Sequence, residues 1–252
     1  MDSELTDAQV IEFLHLAFLQ VLQSRVGQDN YVLKGGTNLR YFYEGVRYSE
    51  DIDLDAVSIE PWKLEAKIDD VLSSPATAIL IRSQGLTMAH VTKPKQTETT
   101  QRWKLSIQVG DHREPIRTRI GFSHPSADPR RLLEAVPDRV VAPYAVRAPT
   151  MQHYSADAAI EQKIIALAKR SETQARDVFD LELLLRQHRG GMSLSIDPHI
   201  IDLATQRISE LPFGAFQTQV LPFLDMEVAE LYDRDGWGRM QTFVAEQLRA
   251  LR

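Results

Sequence analysis

The run Asp51-Ile52-Asp53-Leu54-Asp55 constrains the fold more tightly than any other stretch of the chain. Acids alternate with apolar residues at period two, the pattern of a strand that buries one face and carries carboxylates on the other. Asp51 and Asp53 then project from the same side with Cα atoms roughly 7 Å apart, a spacing at which two carboxylates can hold one or two Mg²⁺ about 4 Å apart. Upstream stands Lys34-Gly35-Gly36-Thr37. Adjacent glycines let the backbone take positive φ and come close to a ligand, and Thr37 opens a helical run from Asn38 to Tyr43 whose free N–H groups suit an anion. Alone, a Gly-Gly is an ordinary turn and an Asp-x-Asp an ordinary solvated strand end. In this order, joined by a short helix, they read as a phosphate turn feeding a metal-binding carboxylate pair.

At 252 residues, with 43% apolar and 25% charged side chains, the chain can bury a substantial core in one domain or two. No run of about 18 apolar residues occurs, and Met1-Asp2-Ser3-Glu4 lacks the basic start and apolar core of a signal peptide, so a cytoplasmic protein without a membrane partner is expected. With no cysteine, disulfides, thiolate metal sites and Cys nucleophiles are excluded, and a hard cation is favoured. The net charge of −6 is unevenly spread, and only residues 101 to 190 are basic, with 15 Lys and Arg against 11 Asp and Glu. Within them Arg113, Arg117, Arg119, Arg130, Arg131, Arg139 and Arg147 could track phosphates or form an ordinary solvated face.

Apolar residues recur at three and four between Leu5 and Val26, predicting an amphipathic helix, and Pro61 opens a second with the face Leu64, Ile68, Val71 and Leu72. Strands are expected at Ala78 to Arg82, Leu86 to Thr92, Arg102 to Val109 and Ile116 to Phe122, with Pro94 to Thr100 as a loop. The proline-rich stretch Ser123 to Thr150 reads as an irregular connection. Beyond it come helices at Ala156 to Arg170, at Gln174 to His188 ended by Gly190-Gly191, and around Pro198 to Ser209, Phe216 to Tyr232 and Trp237 to Leu251. The expected class is α+β, with a mixed-sheet core over 1–150 and a helical domain over 151–252.

Two polar features mark the helical part. Lys163 sits on a helix otherwise rich in small and apolar residues, and Arg176-Asp177-Val178-Phe179-Asp180-Leu181 places two carboxylates at i and i+3 beside an arginine. Each alone reads as a snorkelling lysine and a surface ion pair. Taken with Lys34-Gly35-Gly36-Thr37 and Arg47-x-Ser49-x-Asp51-x-Asp53-Leu54, and with Ala166-Leu167 and Arg170 after Lys163, they make the chain resemble the AbiEii-type abortive-infection nucleotidyltransferase toxins over roughly residues 30 to 190.

The resemblance implies a polymerase-β-like nucleotidyltransferase core followed by a helical region that contributes to the active-site cleft. It implies Mg²⁺-dependent transfer of a nucleoside monophosphate from an NTP to an RNA acceptor resembling a tRNA 3′ end, blocking translation, and a cognate antitoxin of a type IV system. On that reading Asp51 and Asp53 bind metal, Lys34, Gly35, Gly36 and Thr37 surround the triphosphate, and Arg47 and Ser49 brace the loop before the carboxylates. Lys163 neutralises triphosphate charge, Asp177 orients Lys163 or assists the metal or base, and Arg176 and Asp180 form a supporting pair. The superfamily commonly places a third carboxylate on a later strand, yet Arg102 to Val109 contains no acid, and Asp111 follows just beyond it. Protein nucleotidylylation and a degenerate partner-binding module stand as alternatives. Glycosyltransferases and haloacid-dehalogenase-type phosphatases account for an acidic pair but not for the Gly-Gly-Thr, Lys163 and Asp177 around it.

Overall fold

A computed structural model describes residues 5–110, 114–125, 130–187 and 194–251. Asp111, Arg113 and the expected helix stop at Gly190-Gly191 lie outside the described residues. The chain divides into two compact units, 1–42 with 48–154 and 43–47 with 155–252.

The first unit is built in the order α1 (Asp7–Arg25), β1 (Tyr31–Lys34), α2 (Gly35–Phe42), β2 (Asp51–Ala56), α3 (Pro61–Ser73), α4 (Pro75–Arg82), β3 (Leu86–Gln96), β4 (Thr100–Val109), β5 (Ile116–Ser123), β6 (Arg131–Ala135), α5 (Asp138–Val141) and β7 (Thr150–Tyr154). Its seven described strands form one mixed sheet in the order β3-β4-β5-β2-β1-β7-β6, with β2–β5 and β1–β7 parallel and the other pairs antiparallel. Period-two alternation sends Trp103, Leu105 and Ile107 of β4 and Ile52 and Leu54 of β2 into a core shared with α1 and α3. Helix α1 is fastened at its start by a capping box, in which Thr6 and Gln9 each accept from the other's backbone N–H. The opposite face of β2, β5 and β4 is left for polar side chains.

Three sequence expectations change here. Ala78 to Arg82 is not a strand but part of α4, because Pro75 suits the first helical turn and the Ser74 hydroxyl accepts from the Thr77 N–H, while Thr77 and Ile81 bury one helical face. The segment Pro94 to Thr100 is largely strand, its turn closed by Thr97, which bonds the Thr100 backbone in both directions. The stretch from 123 to 150 holds β6 and α5 and runs into β7, whose Gln152 and His153 are buried and hydrogen-bonded to Asp29 and Asn38 rather than apolar.

The second unit contains α6 (Ala156–Lys169), α7 (Ala175–Gln187), α8 (Pro198–Glu210), α9 (Phe213–Gln219), α10 (Met226–Ala229) and α11 (Arg234–Ala250). The single helix expected from Phe216 to Tyr232 is broken, with a 3-10 turn at Leu221–Phe223 around Pro222, which cannot continue an α-helix. Its core gathers aromatic rings, Phe216 against Trp237 at 4.9 Å and Phe179 against Tyr232 at 5.6 Å between centroids. Among the described residues no helix is long and apolar enough to cross a membrane.

Candidate active site

Strand β1 enters the glycine turn where Lys34 stands opposite Asp53 in the ladder. Gly35 has φ of +71°, and a Cβ built there would lie 3.7 Å from Asp53 Oδ2, so the turn passes directly beside that carboxylate. Thr37 donates its hydroxyl to the Asp51 carbonyl oxygen at 3.2 Å, and Ser49 donates to the same oxygen at 2.7 Å. Both hydroxyls therefore fix the start of β2. The Lys34 ammonium reaches Asp55 Oδ1 at 2.5 Å and Ser123 Oγ at 3.1 Å, and the Tyr154 hydroxyl donates to the other Asp55 oxygen. Asp55 is buried by these bonds, and the solvent-accessible acids of β2 are Asp51 and Asp53, whose side chains are 25% and 45% exposed.

Those two carboxylates face one guanidinium. Arg119 Nη2 lies 2.6 Å from Asp51 Oδ2 and 3.8 Å from Asp53 Oδ1. Two accessible hard-oxygen donors already converging on a cation fit Mg²⁺, which takes one or two carboxylates and completes its shell with water and substrate phosphate. Among the described residues no group of three or more His, Asp or Glu side chains is placed to hold a metal. In the sheet β2 lies between β1 and β5, not beside β4, and the residue beside Asp51 in the parallel β2–β5 register is Arg119. A cation thus stands beside the acidic pair on the neighbouring strand.

Sequence reasoning did not find Gly121. It pairs with Asp53 across β2–β5, and a Cβ there would fall 2.6 Å from Asp53 Oδ1, so only glycine leaves room for the carboxylate as placed. Gly121→Ala is expected to push the Asp53 carboxylate aside, lowering turnover about tenfold or more while changing the unfolding free energy by under about 1 kcal/mol, as read by steady-state kinetics and urea titration.

A buried histidine supports the same strand ends. The Thr118 hydroxyl donates to the Glu50 carbonyl oxygen at 2.8 Å, so His15 Nε2, 2.9 Å from Thr118 Oγ1, is the donor of that pair. Burial pushes the His15 pKa down from 6.5 to about 3. Between those values the unfolded chain binds a proton that the folded chain does not, so stability is present above pH 6.5 and is lost as pH falls below it. His15 alone is expected to remove about 2 kcal/mol between pH 7 and pH 5. Denaturant midpoints at the two pH values check this, with His15→Gln abolishing that part of the loss.

In the second unit, α6 and α7 bring Lys163, Asp177 and Asp180 together with Arg47 from the 43–47 segment. Lys163 Nζ lies 2.9 Å from Asp177 Oδ1 and 2.6 Å from Asp180 Oδ2, while Arg47 Nη2 bonds both Asp180 oxygens at 3.2 and 3.0 Å. Arg170 Nη1 is 3.0 Å from Asp177 Oδ2. The pair expected between Arg176 and Asp180 is replaced, since the Asp180 oxygens are taken by Arg47 and Lys163. Burial alone would raise the Asp180 pKa, but Arg47 and Lys163 outweigh it and hold it at about 2. Burial likewise opposes the Lys163 charge, and the Asp177 and Asp180 carboxylates reverse this, raising its pKa. Lys163 is therefore an ionised, oriented ammonium in a cluster of three cations and two carboxylates, rather than a snorkelling surface lysine.

Comparison with known proteins gives this arrangement its setting. The family model described as nucleotidyl transferase AbiEii toxin, type IV toxin–antitoxin system, matches residues 17–250. The chain belongs to the AbiEii family. Among solved structures it is similar to JHP933 from Helicobacter pylori, at 18% identity and a TM-score of 0.59 over 99% of this chain and 96% of that one. A second H. pylori structure, provisionally assigned as a nucleotidyltransferase, matches at 18% identity and a TM-score of 0.56 over 93% and 95%. A search of curated proteins finds no match. Membership agrees with the α+β, polymerase-β-like core built by the mixed sheet, and a type IV toxin–antitoxin family implies an antitoxin partner.

Proposed function

We propose that the chain is a Mg²⁺-dependent nucleotidyltransferase toxin that moves a nucleoside monophosphate from an NTP to an RNA acceptor, with the 3′ end of tRNA as the expected target. The observation that carries this reading is the convergence of Asp51 and Asp53 on a single cation directly beside the Gly35 turn. Asp51 and Asp53 would hold the metal, which when bound neutralises phosphate charge and polarises the phosphorus. The Gly35-Gly36 turn offers backbone N–H groups to the triphosphate. In the transfer, the acceptor hydroxyl oxygen bonds to the α-phosphorus, the bond from that phosphorus to its bridging oxygen breaks, pyrophosphate leaves and the hydroxyl proton passes to solvent. Such chemistry depends mainly on positioning and charge neutralisation, which an ordered turn and paired carboxylates supply. Lys163 as the neutralising ammonium and Asp177 as its orienting partner belong to the same proposal, supported by the ionised state of Lys163.

The test incubates the protein with Mg²⁺, each labelled NTP in turn, and total RNA together with protein extract. Label in small RNA, absent with Asp51→Asn, is the expected result. Label in protein alone redirects the activity to protein nucleotidylylation, and no label in any acceptor contradicts the proposal.

A further inference from the structure

Beside Asp51, on the side away from the glycine turn, the sheet face opens into a cavity of about 460 Å³. Its walls include His90 and Thr92 of β3, Lys104 and Ser106 of β4, and Arg117 and Arg119 of β5. That volume lies within the range of small-ligand sites and accommodates a nucleotide. The register explains why these groups meet: Lys104 stands opposite Arg119, Ser106 opposite Arg117, Thr92 opposite Lys104 and His90 opposite Ser106. Arg119 is committed to the acidic pair. The Lys104 and Arg117 side chains have no hydrogen-bond or ion-pair partner among the described residues. Glu50 and Asp51 also line the cavity, so its three cations exceed its two carboxylates, and like charges on facing positions of neighbouring strands repel, which leaves this face with a net positive charge.

We infer that this cavity binds the sugar–phosphate backbone at the acceptor end of a single-stranded nucleic acid, with Lys104 and Arg117 on successive phosphates. The position of the cavity carries the inference as much as its charge. In-line displacement needs the attacking oxygen and the departing pyrophosphate on opposite sides of the phosphorus. In the sheet order β4-β5-β2-β1, the carboxylates of β2 lie between the glycine turn after β1 and the cavity on β5 and β4. A triphosphate at the turn leaves the cavity side for the acceptor. Ser106 and Thr92 offer hydroxyls for sugar or phosphate oxygens, and the His90 ring offers a face for an unstacked base. Of the arginines read from the sequence as phosphate-tracking, this assigns Arg117 to backbone binding, whereas Arg139 is spent on the Arg40 and Tyr41 carbonyl oxygens.

The assignment of this strand as acceptor rests on the nucleotidyl-transfer reading, but its binding is measured without nucleotide or turnover. Fluorescence anisotropy of a short labelled single-stranded RNA would be followed against salt for the wild-type chain, for Lys104→Gln/Arg117→Gln, and for Lys63→Gln/Lys67→Gln. The last pair removes the same charge from α3, which packs on the opposite face of the sheet. The cavity variant is expected to weaken binding about tenfold or more and to reduce the log–log salt slope by about 1.4, while the α3 variant stays near wild type. Asp53→Asn, whose side chain does not line the cavity, is expected to keep RNA binding while losing transfer, which separates this inference from the catalytic one. Unchanged RNA affinity in the cavity variant, equal loss in the α3 variant, or no RNA binding by the wild type with transfer to protein only would each overturn it.

Discussion

Asp53→Asn is expected to lower nucleotide transfer about a thousandfold or more, about 4 kcal/mol of transition-state stabilisation, while moving the unfolding free energy by no more than about 0.5 kcal/mol. The separation follows from geometry. Asp53 is nearly half exposed, its neighbours Gly35 and Gly121 contribute no side chain to it, and its one ion pair among the described residues is the long contact to Arg119. Removing its charge therefore leaves no buried group unpaired. What is lost is one of the two anionic oxygen donors proposed to hold the metal, and a neutral amide is a weaker ligand for a hard cation than a carboxylate. Steady-state transfer assays and urea titration on the same preparations separate the two effects.

Asp180→Ala has the reverse signature, with its main effect on stability. The carboxylate is buried and accepts from Arg47 and Lys163, so truncation leaves two buried cations without their shared partner and is expected to cost about 3–5 kcal/mol. The same residue gives a pH signature. Its folded pKa of about 2 lies below the ordinary 3.8, so the stability it contributes is present above pH 3.8 and disappears as pH falls from 3.8 toward 2. Thermal or urea unfolding of Asp180→Ala and wild type at pH 7 and pH 3 should show the difference between them narrowing in acid. Asp180→Asn, which keeps the shape and removes the charge, should fall between the two.

The parts of the site legible in the sequence were those encoded within a few residues. The Gly35-Gly36 pair, the short helix and the Asp51-x-Asp53 alternation are local patterns; the strand forms as its period demands, whereas the helix begins at Gly35 rather than after Thr37, so the glycines make its first turn. The groups that complete the surroundings of the acids come from pairings across long separations. Arg119 and Gly121 reach β2 through a parallel ladder, and neither carries a local signature that distinguishes it from any other residue of an exposed or buried strand face. Read for a third acid, the sequence offers Arg102 to Val109 of β4, whereas the sheet places β5 beside β2. Strand β7 was missed because its buried Gln152 and His153 are satisfied by hydrogen bonds, which hydrophobic periodicity does not register. Helix α4 was read as a strand because its apolar run is short and rich in Ile, and the Ser74-Pro75 start signal outweighs that composition. In the second unit the spacing of Asp177 and Asp180 was legible, but Arg47 as the partner of Asp180 was not, since it comes from 133 residues away.

The most direct measurement of the central claim follows the two ends of the triphosphate separately, supplying the wild-type chain and Asp51→Asn with NTP labelled at either the α- or the γ-phosphorus. Nucleotidyl transfer at the Asp51 and Asp53 pair predicts that the α-label becomes covalently attached to the acceptor, that the γ-label is released as pyrophosphate, and that both signals vanish in Asp51→Asn. Attachment of the γ-label to the acceptor, or α-label transfer that persists in Asp51→Asn, would contradict it.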